Sequence, residues 1–326
     1  MKRAGGAFAA VALTLSLTLA LSTAALAQWS PTRAVRVVVP FAAGSATDIV
    51  ARLLADELRG ALGQGFVIDN KPGASARIGA EAVATAPADG YTLLVTTNTS
   101  HSANPHLYKK LNYDPVRDFA PVGGIMHIPV IIVVHPKTPL NSLQDLIDFS
   151  KARPGKVSYG YGNSIGQVTG AAFAKAAGID VIATPYKSSP QAMTDLLGEQ
   201  IGYAVTDMAA GQALVKAGKL KALAVSSEKR SSIMPDLPTM AETPALAGFE
   251  LIAWVAMFAP AGTPPDIVNR LSTEVRKALA KPEVRERIAS FAADVTPSNP
   301  EQLGAFVRAQ LTSWGKRIKD AGIEPE

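Results

Sequence analysis

Residues 37–58, VVVPFAAGSATDIVARLLADEL, constrain this chain more than any other stretch. Val37, Val38 and Val39 make a short β-branched run, the pattern of a strand buried on both faces. Pro40 ends it, because proline has no N–H to give to a ladder. A loop of small residues follows, Ala42-Ala43-Gly44-Ser45-Ala46-Thr47. From Asp48 onward the apolar residues Ile49, Leu53, Leu54 and Leu58 take a helical spacing. In a strand, small-residue turn and helix of this kind, the first helical N–H groups lack internal partners and point out of the turn. They can hold an anionic oxygen there. The same unit also serves packing alone in many α/β proteins, so both readings stand at this point.

The N-terminus reads as an export signal. Lys2 and Arg3 form a basic start, residues 7–21 an apolar core, and Ala25-Leu26-Ala27 a small-residue cleavage site. Cleavage there leaves Gln28 first and 299 residues, 27 fewer than the full 326. Loss of Lys2 and Arg3 lowers the net charge from +5 to +3. That excess is too small to argue for nucleic acid, and no Lys/Arg run interleaved with aromatics occurs. The sequence contains no cysteine, which excludes disulfides, thiolate chemistry and a lipidated cysteine. A core must hold the chain together, and 299 residues suffice for two domains.

Strands and helices then alternate. Residues 65–68 predict a strand that runs into a loop over 70–79, a helix over 80–85, and a strand over 91–96 ending in the polar loop Thr97-Asn98-Thr99-Ser100-His101. Three strand ends followed by small polar residues fit one edge of a parallel sheet, where ligands bind. Residues 130–134 are the most β-prone of the chain. Further strands are expected at 157–160, 181–183, 201–205, 220–225 and 251–259, with helices at 143–153, 167–177 and 191–197. Residues 228–248 predict a long surface connection. Two amphipathic helices, 266–280 and 300–321, close the chain. This pattern predicts an α/β protein of two lobes, residues 28–127 with 250–326 forming one and 128–249 the other.

Catalytic readings fare poorly. Gly162-Asn163-Ser164-Ile165-Gly166 matches G-x-S-x-G between a strand and a helix, as in a secreted serine esterase. That reading needs a histidine after the serine, yet His101, His106, His127 and His135 all precede Ser164. His101 and His106 are five apart across Pro105, with no carboxylate pair to complete a metal site. The glycines at 160, 162 and 166 miss the dinucleotide spacing. The residues themselves point to no cofactor.

Read together, the loops carry a resemblance. Pro40-Phe41-Ala42-Ala43-Gly44-Ser45-Ala46-Thr47-Asp48, Asn70-Lys71-Pro72-Gly73-Ala74, Asp89-Gly90-Tyr91, Asp114-Pro115-Val116-Arg117-Asp118-Phe119, Pro185-Tyr186-Lys187, Pro238-Thr239-Met240-Ala241-Glu242 and Ala259-Pro260-Ala261-Gly262-Thr263-Pro264 occur in the order of one family. The chain resembles the Bug-type solute receptors of tripartite tricarboxylate transporters over nearly all its expected mature length. The resemblance implies a periplasmic, monomeric, two-lobed binding protein of type II, closing like a flytrap on a small carboxylate, with a di- or tricarboxylate expected and both aliphatic and aromatic ligands open. It implies a tripartite membrane permease as partner and no enzyme activity. A periplasmic signalling sensor served by the same kind of receptor is the competing expectation. The chain departs from the family in its loops. Two glycines are usual where Gly44-Ser45 stands, Ala-Gly-Gly-Asn is usual where Ala74-Ser75-Ala76-Arg77 stands, and a glycine is usual at Ser188.

Physics and resemblance together name a site. One ligand carboxylate is expected against backbone N–H groups of Ala43, Gly44, Ser45 and Thr47 from one lobe and of the loop Gly162-Asn163-Ser164 from the other. Thr97, Asn98, Ser100, His101, Gln167, Ser188 and Asp207 complete the expected lining. Phe41 either stacks on the ligand or fills the core. Asp48 either caps the first helix through Ser45-x-x-Asp48 or accepts from a ligand hydroxyl, amine or water. The Tyr186 hydroxyl is expected near the cleft, and Trp254 in the core or hinge. Arg77 either lies on the surface or pairs bidentately with a second ligand carboxylate.

Overall fold

The computed structural model describes residues 29–290 and 292–326; the expected signal segment and its cleavage point lie outside the described residues. Strand β1 (Val35–Val39) lies parallel to β2 (Phe66–Asn70) on one side and β3 (Thr92–Thr97) on the other. Helix α1 (Ala46–Leu62) starts two residues earlier than the periodicity suggests. Ser45 stands outside it in an extended conformation, its hydroxyl accepting from the Asp48 N–H, and Gly63 stops it at φ 72°. The face of α1 carrying Val50, Leu54 and Leu58 is buried, and each such side chain contributes roughly 1.5–3 kcal/mol.

Helix α2 (Arg77–Ala84) is entered through an unusual turn. Ala74, Ser75 and Ala76 hold φ of 45°, 51° and 67° in succession. Left-handed backbone costs a residue with a Cβ about 1–2 kcal/mol. Glycines are free of that cost, which is the physical sense of the glycine pair seen in the family pattern. After β3 the expected polar loop is instead a π-helical turn, Thr99–Ala103, running into the short α3 (Asn104–Leu107).

Strand β4 (Phe119–Val134) is far longer than the five-residue run the sequence advertises. Pro121 and Pro129 mask its first part. Both are tolerated because the ladder shifts register beside Pro121 and changes partner just after Pro129. Up to Pro129, β4 pairs antiparallel with β9 (Ile252–Pro260), which also pairs with β3. From Val130 it pairs with β7 (Tyr203–Asp207) and β8 (Lys221–Val225). Between these in sequence lie α4 (Leu143–Lys151), β5 (Val157–Tyr161), α5 (Ser164–Ala177), β6 (Val181–Pro185), α6 (Ser189–Leu197) and α7 (Met208–Lys216). Strand β5 lies parallel between β6 and β7.

The expected connection over 228–248 carries two short 3-10 turns whose Met240 and Leu246 are buried. Helices α8 (Pro265–Ala280), α9 (Pro282–Ala289) and α10 (Pro300–Asp320), with β10 (Asp294–Val295) paired to β4, finish the chain. The result is a two-lobed α/β fold in which one strand, β4, belongs to both sheet halves.

Candidate functional site

The C-terminal ends of β1 and β3 meet those of β5, β6 and β7. The first loop is locked from within. The Asp48 carboxylate accepts from the Gly44 N–H at 2.9 Å, from Asn70 Nδ2 at 2.9 Å and from Arg52 Nε at 3.1 Å. Asn70 also donates to the Phe41 carbonyl at 3.0 Å, and the Phe41 ring is buried. Burial alone would raise the Asp48 carboxyl. The hydrogen bonds from Arg52, Gly44 and Asn70 outweigh it and hold the group below the usual carboxylate range. Asp48 thus ties the turn to α1 and β2. Ala43 and Gly44 are exposed, whereas Ser45 and Thr47 are buried.

Opposite this loop stands Asp207, the N-cap of α7. Its carboxylate accepts from Ala210 N–H at 3.1 Å and from Ser189 Oγ at 3.0 Å. The N–H of Ala46, in the first turn of α1, also faces it. Burial pushes the Asp207 carboxyl above its ordinary value, against the lowering by Ser189, Ala210 and Ala46. A protein carboxylate from one lobe therefore sits against the helix N-terminus of the other.

A second set of contacts crosses the same junction. Ser164 Oγ donates to Thr99 Oγ1 at 2.9 Å, and the Ser164 N–H reaches the same oxygen at 3.3 Å. Asn98 Nδ2 donates to Ser164 Oγ at 3.1 Å, leaving Asn98 Oδ1 buried and without a partner. Ser188 Oγ is likewise buried and unpartnered. Gly162 is required where it stands, since a Cβ there would lie 2.0 Å from the backbone of Ser188 and Ser189. Asn163 caps α5 by accepting from the Gly166 N–H at 3.0 Å, and Gln167 is half-buried in the next turn. The Thr97 hydroxyl accepts from the Thr99 N–H at 3.1 Å.

Other residues named from the sequence make their contacts within their own lobes. The His101 ring stacks on Phe258 at 3.9 Å and packs against Phe119 and Trp254, and burial pushes its pKa down to about 3. Ser100 Oγ bonds Thr96 and His101 on the lobe's inner side. The Tyr186 hydroxyl donates to Asp195 at 2.7 Å on its own lobe, and burial with that partner raises it to about 12. Trp254 is a buried core residue. Arg77 is half-buried, donates from Nε to the Ala74 carbonyl at 3.0 Å and lies over the Tyr108 ring at 3.8 Å. Burial, with the Tyr108 phenol nearby, raises Tyr161 of the other lobe to about 12.

The sequence reading singled out neither Thr99, Ser189 nor Tyr108. Thr99 and Ser189 stand beside residues it did name, in polar runs at strand ends, whereas Tyr108 follows a helix that the sequence did not advertise. The hydrogen-bonding neighbours of Ser164 are Asn98 and Thr99, with no base among them.

The profile described as "Tripartite tricarboxylate transporter family receptor" matches residues 50–323. The chain belongs to that family. It is similar to the protein BugT of Bordetella pertussis, 35% identical over 300 residues that cover 90% of this chain and 91% of BugT. Among solved structures it is similar to an R. palustris protein with adipate, with 36% identity, a TM-score of 0.88, and coverage of 91% and 99%. It is also similar to MatC of Rhodopseudomonas palustris with bound malate, with 31% identity, a TM-score of 0.82, and coverage of 88% and 99%. The protein is a periplasmic solute-binding receptor of this type.

Proposed function

We propose that the receptor captures a small carboxylate at the junction of its lobes and delivers it to a tripartite membrane permease. One observation carries this reading: the N-terminus of α1 already faces a carboxylate, that of Asp207, from the opposite lobe. A free carboxylate can take the same amides, and charge-assisted hydrogen bonds of this kind contribute about 1.5–3 kcal/mol each. Gly44 N–H is held by Asp48 and Ser45 N–H by the Ala42 carbonyl, so Ala43, Ala46 and Thr47 are the amides left for a ligand. Asn98, Thr99, Ser164 and Ser188 supply polar groups from both lobes, so a ligand seated there favours the closed state by its extra contacts.

Arg77 is proposed as the partner of a second carboxylate. Its Nε is fixed and its guanidinium is stacked on Tyr108, which leaves the two terminal nitrogens to form a fork for a carboxylate. The adipate and malate held by the two similar R. palustris proteins are dicarboxylates, which supports this class. Ser164 serves as a ligand contact in this reading and not as a nucleophile. The lobe boundaries are proposed to fall near Pro129 in β4 and near Glu250, where pairing passes from one sheet half to the other. Export with cleavage after Ala27 and action as a monomer complete the proposal.

Thermal unfolding with a panel of mono-, di- and tricarboxylates tests it. A true ligand at 100 times its dissociation constant adds about 2.7 kcal/mol and raises Tm by roughly 5 °C. A panel in which no carboxylate moves Tm overturns the reading.

A further inference from the structure

The junction holds a buried carboxylate and a buried amide oxygen that has no donor. Asp207 is 4% exposed, accepts from Ala210 and Ser189, and stands at the start of a helix that packs on α1, facing the Ala46 N–H. Asn98 is fully buried, and its Oδ1 has no partner. The orientation of that amide is fixed by its neighbours. Ser164 Oγ gives its proton to Thr99, so it must accept from Asn98 Nδ2, and the amide oxygen is the atom left over. Gly162 packs on Ser188 and Ser189, and Ser189 bonds Asp207, which links the two acceptors into one continuous lining.

A ligand carboxylate seated on the Ala46 N–H stands beside Asp207. Two anions then lie side by side in a buried place, and Asn98 Oδ1 still lacks a donor. A plain carboxylate offers nothing in return. A ligand with a hydroxyl or ammonium on the carbon next to its carboxylate brings the missing donor within reach of Asp207 or of Asn98 Oδ1, and an ammonium also offsets the second negative charge.

We propose that this junction selects carboxylates bearing a donor on the adjacent carbon, 2-hydroxy or 2-amino acids, with Asp207 as the residue that sets the preference. The inference rests on the receptor reading above and narrows it.

Titration calorimetry of the purified protein with matched sets decides it: succinate, malate, aspartate and 2-fluorosuccinate, and the glutarate, 2-hydroxyglutarate and glutamate set beside them. Fluorine is close to a hydroxyl in size and cannot donate. In a set that binds, the hydroxy or amino member is expected to bind roughly ten- to a hundredfold tighter than the plain one, the gap for an unsatisfied buried acceptor, with 2-fluorosuccinate close to succinate. Asp207→Asn keeps a residue that caps helices equally well and removes the charge; the preference for the amino member should then fall to within about threefold. Plain members that bind as tightly as their substituted partners overturn the inference while leaving the receptor reading intact. So does a 2-fluoro analogue as tight as malate, or a preference unchanged in a folded Asp207→Asn protein. Binding by no member of either set overturns the inference, and the receptor reading falls with it only if the wider carboxylate panel also leaves Tm unmoved.

Discussion

Single residues in this chain are held in places that their neighbours pay attention to chemically, and the turn before α2 is the clearest case. Ala74 is exposed and left-handed at φ 45°, so its methyl gains no packing and the backbone is strained. Ala74→Gly should therefore raise stability by about 1 kcal/mol in urea unfolding, and a loss of stability would show that the turn is not strained there. Ser75 is a poorer test, because its hydroxyl accepts from Tyr108 at 2.9 Å and its carbonyl from Asn104 at 2.8 Å. Arg77, the next residue but one, carries the dicarboxylate proposal. Arg77→Ala should weaken a dicarboxylate by about 2–4 kcal/mol, counting the unpaired anion left behind, and a matched monocarboxylate by little. Calorimetry on both ligands and both proteins reads the difference. Equal losses would leave Arg77 as a stacking partner of Tyr108 only.

At the scale of elements, the α1 entrance shows how one carboxylate organises a turn. Asp48 gathers Gly44, Asn70 and Arg52, and those bonds hold its carboxyl below the usual value. A carboxyl depressed in the folded state adds stability above its unfolded pKa, and that stability is lost as pH falls through the lower folded value. Asp48→Asn should cost about 1–3 kcal/mol at neutral pH, and the gap from wild type should close below roughly pH 4. Urea unfolding across pH 3–7 measures it, and a gap that stays constant with pH would remove the assigned role of the charge. Much of this element was legible in the sequence, since β-branched valines, a proline stop, a capping serine and a spaced apolar face each act locally. The polar run after β3 was not. Its residues are all buried, and the π-helical turn, wider than an α-turn, decides which face each one takes. Asn98 and Thr99 reach the opposite lobe while His101 falls among Phe119, Trp254 and Phe258, an outcome set by tertiary packing and not by residue type. The length of β4 was hidden for a related reason, because its prolines break the local pattern while β9 supplies the pairing.

The sheet halves are joined by one strand that crosses from one to the other, and this governs how binding should be felt. Strand β4 pairs with β9 up to Pro129 and with β7 and β8 beyond it, so the halves can move about a continuous strand without breaking either sheet. The contacts that hold them together at the ligand loops are few and polar: Asn98 and Thr99 with Ser164, and Asp207 facing Ala46. Such contacts contribute only about 0.5–1.5 kcal/mol each, so opening should be frequent in the free protein. A ligand that bridges the same groups shifts the population toward closure by its differential affinity for that state. Hydrogen exchange should then slow together in residues 97–103 of one lobe and 162–166 of the other, although 58 residues lie between the two segments in sequence. Strands β2 and β6, at the outer edges of the two halves, should change little. Protection confined to one lobe would mean that ligand binds without closing the receptor, and the permease would then have no closed state to recognise.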